Sequence, residues 1–181
     1  MILSSKNNNF IVTFNQGFFY KDIVQRYETY LKRLPIPYQN LHDYMTASIQ
    51  SCTFPALSAE PVEQIYGQQN YTSKGGLRLE RYLDRTINIT FKLYEGYINY
   101  WVMFDMFREF YALEQTNRFL PDITLTFLDQ TGFEFFAVEF HQILMLSISE
   151  LELNYSSNSA EFKTFNMSFN YNFVKFKKRF D

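Results

Sequence analysis

Cysteine and histidine are scarce in this chain of 181 residues. Cys52 is the single cysteine, and His42 and His141 are the two histidines. One cysteine excludes an internal disulfide framework and a zinc site built mainly from thiolates. Neither histidine belongs to a pair with ligand spacing, so we expect no metal ion and no cofactor. A single thiol is typical of a protein that is made in a reducing compartment.

Sequence motifs of catalysis are also missing. The chain has no glycine-rich loop that would cradle a phosphate and no nucleophile elbow. Four glutamates, Glu134, Glu139, Glu150 and Glu152, could be arranged as the carboxylate pair of a glycosidase, but no pattern fixes their geometry. We therefore predict that the protein is not an enzyme.

An excess of one charge and a long apolar run are the next absences. Lys and Arg number 17 against 19 Asp and Glu, which gives a net charge of -2. The chain therefore lacks the basic field that holds proteins to phosphate backbones, and nucleic-acid binding is disfavoured as its main role. No apolar run approaches the length of a membrane span or of a signal peptide. We expect a protein without a membrane anchor that stays in the cytosol unless an apparatus carries it out.

Large aromatic side chains, by contrast, are abundant. The chain has 21 Phe and 14 Tyr, and 46% of its residues are hydrophobic. This composition is typical of a folded protein, and the length suits one domain with its own core, so residues 1–181 are interpreted as a single domain. Phe and Tyr are also typical of buried subunit interfaces. The excess of aromatic surface favours a structural protein that assembles with copies of itself.

The first half of the chain mixes strand and helix patterns. Residues 9–20 contain a strand at Phe10–Phe14, and an amphipathic helix is predicted over about residues 22–34, before Pro35 and Pro37. A second strand is predicted at Thr46–Phe54. The following thirty residues or so carry little regular signal, which in a compact domain indicates a functional or disordered loop.

Strict alternation at Arg85–Tyr94 predicts a third strand, and a second helix is predicted over about residues 97–111. Its periodicity is interpreted with an aromatic stripe inward and a polar stripe outward. The residues expected inward are Tyr97, Trp101, Phe104, Phe107 and Tyr111, and those expected outward are Asn99, Asp105, Arg108 and Glu109.

The last third is predicted to be nearly all strand. Asp122–Leu128 and Phe133–Phe140 flank a hairpin turn at residues 129–132. A slip in the alternation predicts a turn near residues 142–147 and a new strand at Ile148–Tyr155. A long closing strand follows, in which Phe165, Met167, Phe169, Tyr171 and Phe173 alternate with polar residues. These patterns predict a mainly β (α+β) fold with two helices.

An ordered series of motifs from Ser48 onward carries a family resemblance. The series consists of Cys52–Leu57, Glu60–Ile65, a polar loop with glycine, Asp84–Thr86 before a strand and a helix, Val138–Ile143, Ile148–Tyr155, and the closing strand Glu161–Asn172. In order and spacing it resembles the tail tube proteins of contractile-tailed phages, which are related to the tube protein of type VI secretion.

The resemblance implies a mainly β subunit, an antiparallel β-sandwich-like or barrel-like tail-tube fold with one flanking helix, to which this chain adds an extra N-terminal helix. Such subunits close into hexameric rings, with the inner sheets joined into a continuous barrel. Stacked rings would form a hollow tube in a virion tail, through which the genome is ejected. The implied partners are further copies of the chain, sheath proteins and baseplate proteins, while DNA passes through the lumen without specific binding.

The front of the chain departs from that family, because residues 20–45 or so insert a helix and a loop. This departure leaves open a tube-initiating ring at the baseplate instead of the repeated tube subunit. A tube component of a type VI-like secretion system is a further alternative. A stand-alone β-rich binding module, which would be a stable monomer, is the alternative from a different class.

Two groups of residues are candidates for the functional surfaces. A lumen that conducts DNA should be polar and neutral to acidic, because several phosphate contacts in each ring would hold the genome to the wall. The lumen candidates are Glu150, Glu152, Asn166, Ser168 and Asn170; the alternative is an ordinary solvated sheet face.

The excursion at Gln64–Arg81 is the candidate for contacts between rings, because members of the resembled family use the corresponding segment to reach the neighbouring ring. Its apolar residues would anchor the contact and its charged residues would form the rim. The candidate residues are Tyr66, Tyr71, Leu77, Arg78, Leu79, Glu80 and Arg81; the alternative is a mobile surface loop.

Overall fold

A computed structural model describes residues 9–34, 38, 40–58, 61–67, 69–73, 83–112, 116–151 and 163–178. Within these ranges the α-helices are α1 (Lys21–Leu31), α2 (Leu41–Ala47) and α3 (Ile98–Phe110). The strands are β1 (Phe10–Phe14), β2 (Ile49–Cys52), β3 (Val62–Tyr66), β4 (Gln69–Ser73), β5 (Thr86–Lys92), β6 (Ile123–Leu128), β7 (Glu134–His141), β8 (Leu144–Ile148), β9 (Thr164–Asn170) and β10 (Phe173–Lys178).

Two four-stranded antiparallel sheets form the body of the subunit. Sheet A has the strand order β1-β6-β7-β10, and sheet B has the order β2-β5-β9-β8. Strands β3 and β4 form a separate two-stranded hairpin. Over the described residues neither sheet closes into a barrel. The predicted mainly β, antiparallel sandwich with flanking helices is therefore confirmed.

Aromatic rings fill the space between the two sheets. The ring of Phe14 on β1 lies 6.4 Å from that of Phe91 on β5, and the ring of Phe140 on β7 lies 4.9 Å from that of Tyr171. Along β5 the apolar residues are fully buried and alternate with more exposed polar ones, as the sequence pattern predicted. One core therefore joins both sheets.

Helix α3 covers the part of sheet B that sheet A leaves open. The ring of Tyr100 lies 5.3 Å from that of Phe165 on β9. Asn99 is fully buried; its amide nitrogen donates to the Lys92 carbonyl at 2.7 Å, and its amide oxygen accepts from the Tyr94 N–H at 3.4 Å. The helix is thus tied to the end of β5, where the chain leaves sheet B.

The predicted orientation of this helix is wrong. The buried residues are Asn99, Tyr100, Val102, Met103, Met106 and Phe110. The predicted inward residues Tyr97, Trp101, Phe104 and Tyr111 are exposed, Phe107 is partly buried, and the predicted outward Asn99 has no exposure. The helix has two apolar faces, and the face with Val102, Met103 and Met106 lies against the sheet. In this rotation Asn99 also binds the β5 backbone.

The inserted segment contains two helices, one of which was predicted. Helix α1 ends at Leu31, before the prolines, and packs on α3: Arg26 forms an ion pair of 2.8 Å with Asp105, and the Tyr27 hydroxyl donates to the same carboxylate. Burial, reinforced by this hydrogen bond, raises the pKa of Tyr27. Helix α2 was missed, although the Asn40 side chain caps it by accepting from the Asp43 N–H.

One predicted strand and one predicted turn have different bounds in the structure. The predicted strand Thr46–Phe54 loses its first two residues to α2, and β2 covers only Ile49–Cys52. The predicted turn at residues 142–147 is mostly strand β8. A bulge lies between Met145 and Ser147, and the actual turn is at Gln142, with φ 56°.

The predicted long closing strand is two strands in different sheets. Strand β9 ends at Asn170 in sheet B, and β10 starts at Phe173 in sheet A. Tyr171 marks the crossing, because its buried ring lies in the core and its hydroxyl donates to the Asp84 carbonyl at 2.6 Å. The alternation continues through the crossing, so the pattern alone gives no break.

The β6–β7 hairpin turn is confirmed. The Asp129 carboxylate accepts from the Thr131 hydroxyl and from the N–H groups of Thr131 and Phe133, at 2.7–2.8 Å. These bonds, led by that from Thr131, lower the pKa of Asp129. The turn fixes the register that places Leu125 opposite Val138 in the core.

The rotation of α3 is tested by comparing two truncations. Met103→Ala should lower the free energy of unfolding by about 2–5 kcal/mol, because it opens a cavity at a fully buried site. Trp101→Ala should lower it by about 1 kcal/mol or less, because the indole is half in water and alanine favours the helix. Urea unfolding followed by circular dichroism measures both. The reverse order of effects would restore the predicted orientation.

Candidate assembly surfaces

The face of sheet B that points away from the core is polar and nearly uncharged. Cross-strand pairs on this face include Asn88 with Ser168 and Thr90 with Asn166, and the Ser168 hydroxyl donates to the Asn88 amide oxygen at 2.6 Å. The polar face comprises Thr86, Asn88, Thr90 and Lys92 on β5, Thr164, Asn166, Ser168 and Asn170 on β9, Ser51 on β2, and Ser147 on β8, beside which Leu144 is its apolar member. Lys92 is its one charged residue among those strands.

Three of the predicted lumen residues lie together on this face. Asn166, Ser168 and Asn170 alternate on β9 with the buried Phe165, Met167 and Phe169. Glu150 is exposed but lies beyond the end of β8, which stops at Ile148, so the predicted strand under Glu150 is wrong. Glu152 lies outside the described residues. The polar residues of β5 complete the face, and they could have been found from the same period-two pattern.

Sheet B has two edge strands. Within the described residues β2 pairs with β5 alone and β8 pairs with β9 alone. Each edge carries a bulge, between Ile49 and Ser51 and between Met145 and Ser147. Bulges are common at sheet edges, where they limit indiscriminate pairing. The bulges make the two edges less open to pairing with any strand than a flat edge would be. Both edges still have backbone N–H and C=O groups that a further strand could pair with.

The β3–β4 hairpin projects from the body of the subunit. All residues of its two strands are exposed, including Ile65 and Tyr66 at 76% and 83%. An isolated two-stranded hairpin is marginally stable in water, and exposed apolar side chains on it indicate a missing partner surface. The sequence did not predict β3 and β4, because both strands are short and too polar to show the alternation of a strand with one buried face.

Two of the predicted inter-ring residues lie on this hairpin. Tyr71 pairs with Gln64, and Tyr66 with Gln69, so both tyrosines lie on one face of the ribbon together with Val62. The Tyr71 hydroxyl donates to the Gln69 side chain at 2.7 Å. The remaining candidates, Leu77, Arg78, Leu79, Glu80 and Arg81, lie outside the described residues.

The chemistry-bearing residues do not converge on one site. In the described part of the chain, no group of three or more His, Cys, Asp or Glu side chains is placed to hold a metal ion. His141 pairs through Nδ1 with Asp122 at 2.8 Å on sheet A, whereas Cys52 lies on β2 in sheet B. Across the same residues, no helix is both long and apolar enough to span a membrane.

Comparison with solved structures identifies the architecture. A chain of the anti-feeding prophage cap, a tube-terminating cap, is 12% identical over 98% of this chain and 93% of that one, with a TM-score of 0.57. A chain of the PVC extracellular contractile injection system, from its sheath–tube complex in the extended state, is 13% identical over 97% and 92%, with a TM-score of 0.57. The chain has the tail-tube fold.

A chain of the anti-feeding prophage baseplate has the same tail-tube fold at a TM-score of 0.56, with 11% identity over 98% of both chains. No family model matches this chain, and no curated protein matches its sequence. At these identities the likeness shows the fold, and it extends over 97–98% of this chain. The fold expected from the sequence motifs is confirmed.

The thiol of Cys52 should be unreactive in the folded subunit. Burial raises its pKa to about 12, so little thiolate is present at pH 8. We expect alkylation by iodoacetamide at pH 8 to be at least about a hundredfold slower than in the same protein in urea. Mass spectrometry of timed samples measures both rates. Equal rates would show that β2 opens readily or that the thiol is activated.

Proposed function

We propose that this protein is the structural subunit of a phage tail tube, and that it closes into hexameric rings that stack into a hollow conduit. The observation that carries the proposal is the geometry of sheet B, which has two edges available for pairing and one polar face. The likeness to tube, cap and baseplate chains of contractile systems supports it.

Sheet B can continue from one copy into the next without a change of pattern. Its three internal pairings are all antiparallel, so β2 and β8 at its two edges run in opposite directions. In a ring with one rotation axis all copies point the same way along that axis. The β8 edge of one copy then meets the β2 edge of the next in antiparallel orientation, and an even number of strands in each copy keeps the alternation.

Closure by this route removes all edges of sheet B. Six copies of a four-stranded sheet give a barrel of about 24 strands, wider than the porin barrels whose lumen already holds water. The aromatic core of each subunit lies on one side of this wall, so the polar face lies on the other and lines the lumen. Closure also protects the protein from aggregation, because no edge strand is left for another chain to pair with.

The composition of the polar face suits the passage of DNA. Its asparagine, serine and threonine side chains hydrate well, and they offer no array of cations to the phosphates. DNA would therefore slide through without specific binding, and genome ejection would not be slowed by the wall. The virion tail is the location that follows, with sheath and baseplate proteins as partners on the outside.

The β3–β4 hairpin is the proposed contact between stacked rings. It extends from the body, exposes Val62, Tyr66 and Tyr71 on one face, and has no partner surface within the described subunit. A neighbouring ring would bury these side chains and stabilise the ribbon. The predicted residues Leu77–Arg81 follow it along the chain and belong to the same proposal.

A terminal or baseplate ring is a second candidate, supported by the likeness to chains of a tube-terminating cap and of a baseplate. Helix α1 packs on α3 through the Arg26–Asp105 ion pair, so the insertion thickens the wall on the side away from the polar face. There it would meet sheath or baseplate proteins. A type VI-like secretion tube component uses the same rings, and a neighbouring sheath gene or capsid gene would separate these apparatuses.

The ring junction is tested by disulfide cross-linking in a Cys52→Ser background. Ser51 on β2 and Ser147 on β8 lie on the polar face at opposite edges, and side chains on one face of paired strands come within disulfide reach. We expect Ser51→Cys and Ser147→Cys, mixed and oxidised, to form covalent dimers on a denaturing gel. A chain with both substitutions should give a ladder ending at the hexamer.

Leu144→Cys should be tried in parallel with Ser147→Cys, because it lies on the same face nearer the start of β8 and covers a different register. Asn166→Cys is the control, since β9 is internal to the sheet and should remain uncross-linked. Dimers from Ser51→Cys alone would indicate a two-fold interface. A monomer at high concentration, by mass and by electron microscopy, would favour a stand-alone module.

Stacking is tested on the hairpin. Tyr66→Ala combined with Tyr71→Ala should leave single rings intact but shorten tubes at least about tenfold in length, because the apolar anchors of a contact carry most of its energy. Negative-stain electron microscopy measures tube length. Glu63→Ala with Asn70→Ala, on the opposite face of the ribbon, is the matched control. Tubes of normal length in both variants would refute this role for the hairpin.

A further inference from the structure

Four aromatic residues of α3 form a row beside the β8 edge of sheet B. Tyr100, Phe104, Phe107 and Tyr111 recur at the spacing of one helix face. The hydroxyl of Tyr111 donates to the Met145 carbonyl, and that of Tyr100 to the Ser149 carbonyl at 3.4 Å. Both ends of this aromatic row are therefore bound to β8 or to the residue just after it.

The middle of the aromatic row is open to solvent. Phe104 is 40% exposed and Phe107 is partly buried. Neighbouring rings hold them in place: Phe104 lies 6.3 Å from Tyr100 and 5.7 Å from Trp101, and Phe107 lies 5.0 Å from Tyr111. A preordered aromatic surface of this kind loses little conformational entropy when it is covered.

A cleft lies at the opposite edge of the subunit, between the edge strands β1 of sheet A and β2 of sheet B. It has a volume of about 320 Å³. Its lining is mainly apolar and carries no charge, and it consists of Phe10, Ile11, Val12, Thr46, Ile49 and Gln50. The size is at the lower end of the range for binding pockets and is enough for one or two aromatic side chains.

The aromatic row and the cleft lie in the same layer of the subunit. At the β8 edge, α3 covers the core face of sheet B, as the contact of Tyr100 with Phe165 shows. At the β2 edge, β1 lies over the same face, as the contact of Phe14 with Phe91 shows. When β8 of one copy is placed beside β2 of the next, α3 of the first copy comes beside β1 of the second.

We propose that Phe104 and its neighbours in the aromatic row dock into the β1–β2 cleft of the adjacent copy, so that each ring junction has two layers. The proposal rests on the proposed ring, and it names a second contact that sheet pairing does not require. It also covers the outer edge of β1, which would remain open if sheet B alone were joined.

A tryptophan placed at position 104 reports this contact directly. Trp101 is the only tryptophan, so Trp101→Phe combined with Phe104→Trp moves the single indole into the aromatic row. We expect its emission to shift to the blue on ring formation and its quenching by acrylamide to fall about twofold or more, because the indole leaves water. The Ser51 and Ser147 cross-link, in the same chain, shows independently that rings are present.

Truncations of the two surfaces complete the test. Phe104→Ser and Ile11→Ser should each raise the protein concentration needed for half-assembly by at least about tenfold, as truncated interface anchors do. Gln25→Ala, exposed on α1, and Lys175→Ala, exposed on β10 at the other edge of sheet A from β1, are the matched controls. Circular dichroism and urea unfolding of the monomers check that the variants fold.

The outcomes separate this inference from the proposed function. Cross-linked rings with unchanged emission at position 104, and with normal assembly of Phe104→Ser and Ile11→Ser, would overturn the docking and leave the tube intact. A blue shift and weakened assembly with both truncations, but not with the controls, would support the docking. The absence of rings in every variant and in the unchanged protein would overturn both.

Discussion

The stack of aromatic rings on the core face of sheet B is the interaction on which the rest of the structure depends. Phe91 and Phe165 lie nearly parallel with their centres 4.9 Å apart, and Phe14 from sheet A and Tyr100 from α3 pack on them from above. Because β5 and β9 must keep these rings inward, their alternate residues point outward and form the polar face. The core and the polar face are therefore two results of one register, Phe91 opposite Phe165 and Thr90 opposite Asn166.

The sequence predicted elements well where one physical signal dominates. Alternation alone located β5 and the polar row of β9, and the Asp129 turn located the β6–β7 hairpin. Where two signals compete, the prediction failed. Helix α3 has apolar residues on two faces, and the choice between them depends on Asn99, whose hydrogen bonds to Lys92 and Tyr94 exist only after β5 is in place. Long-range contacts of this kind leave no local periodicity.

The residues of the candidate surfaces also differ in how far the sequence could predict them. Asn166, Ser168 and Asn170 could be grouped from the sequence because a strand sends alternate residues to one side. Glu150 was misplaced, since the strand predicted at Ile148–Tyr155 is absent at this position and β8 stops at Ile148. The β1–β2 cleft could not be predicted from the sequence either, because its walls come from β1, α2 and β2, which come together only in the tertiary structure.

The observed orientation of α3 matters for assembly. Had the aromatic stripe faced the core, Val102, Met106 and Phe110 on the opposite side of the helix would have been left in water. Instead the core is filled by Val102, Met103 and Met106, and the aromatic rings are held outside, ordered by one another and by β8. Exposed aromatic surface is unfavourable in water and promotes aggregation when its neighbour is an unpaired strand. If β8 of one copy pairs with β2 of the next, the strand edge and the aromatic row are covered together. The contact that completes the sheet would then also remove the unfavourable exposure of the aromatic side chains on α3.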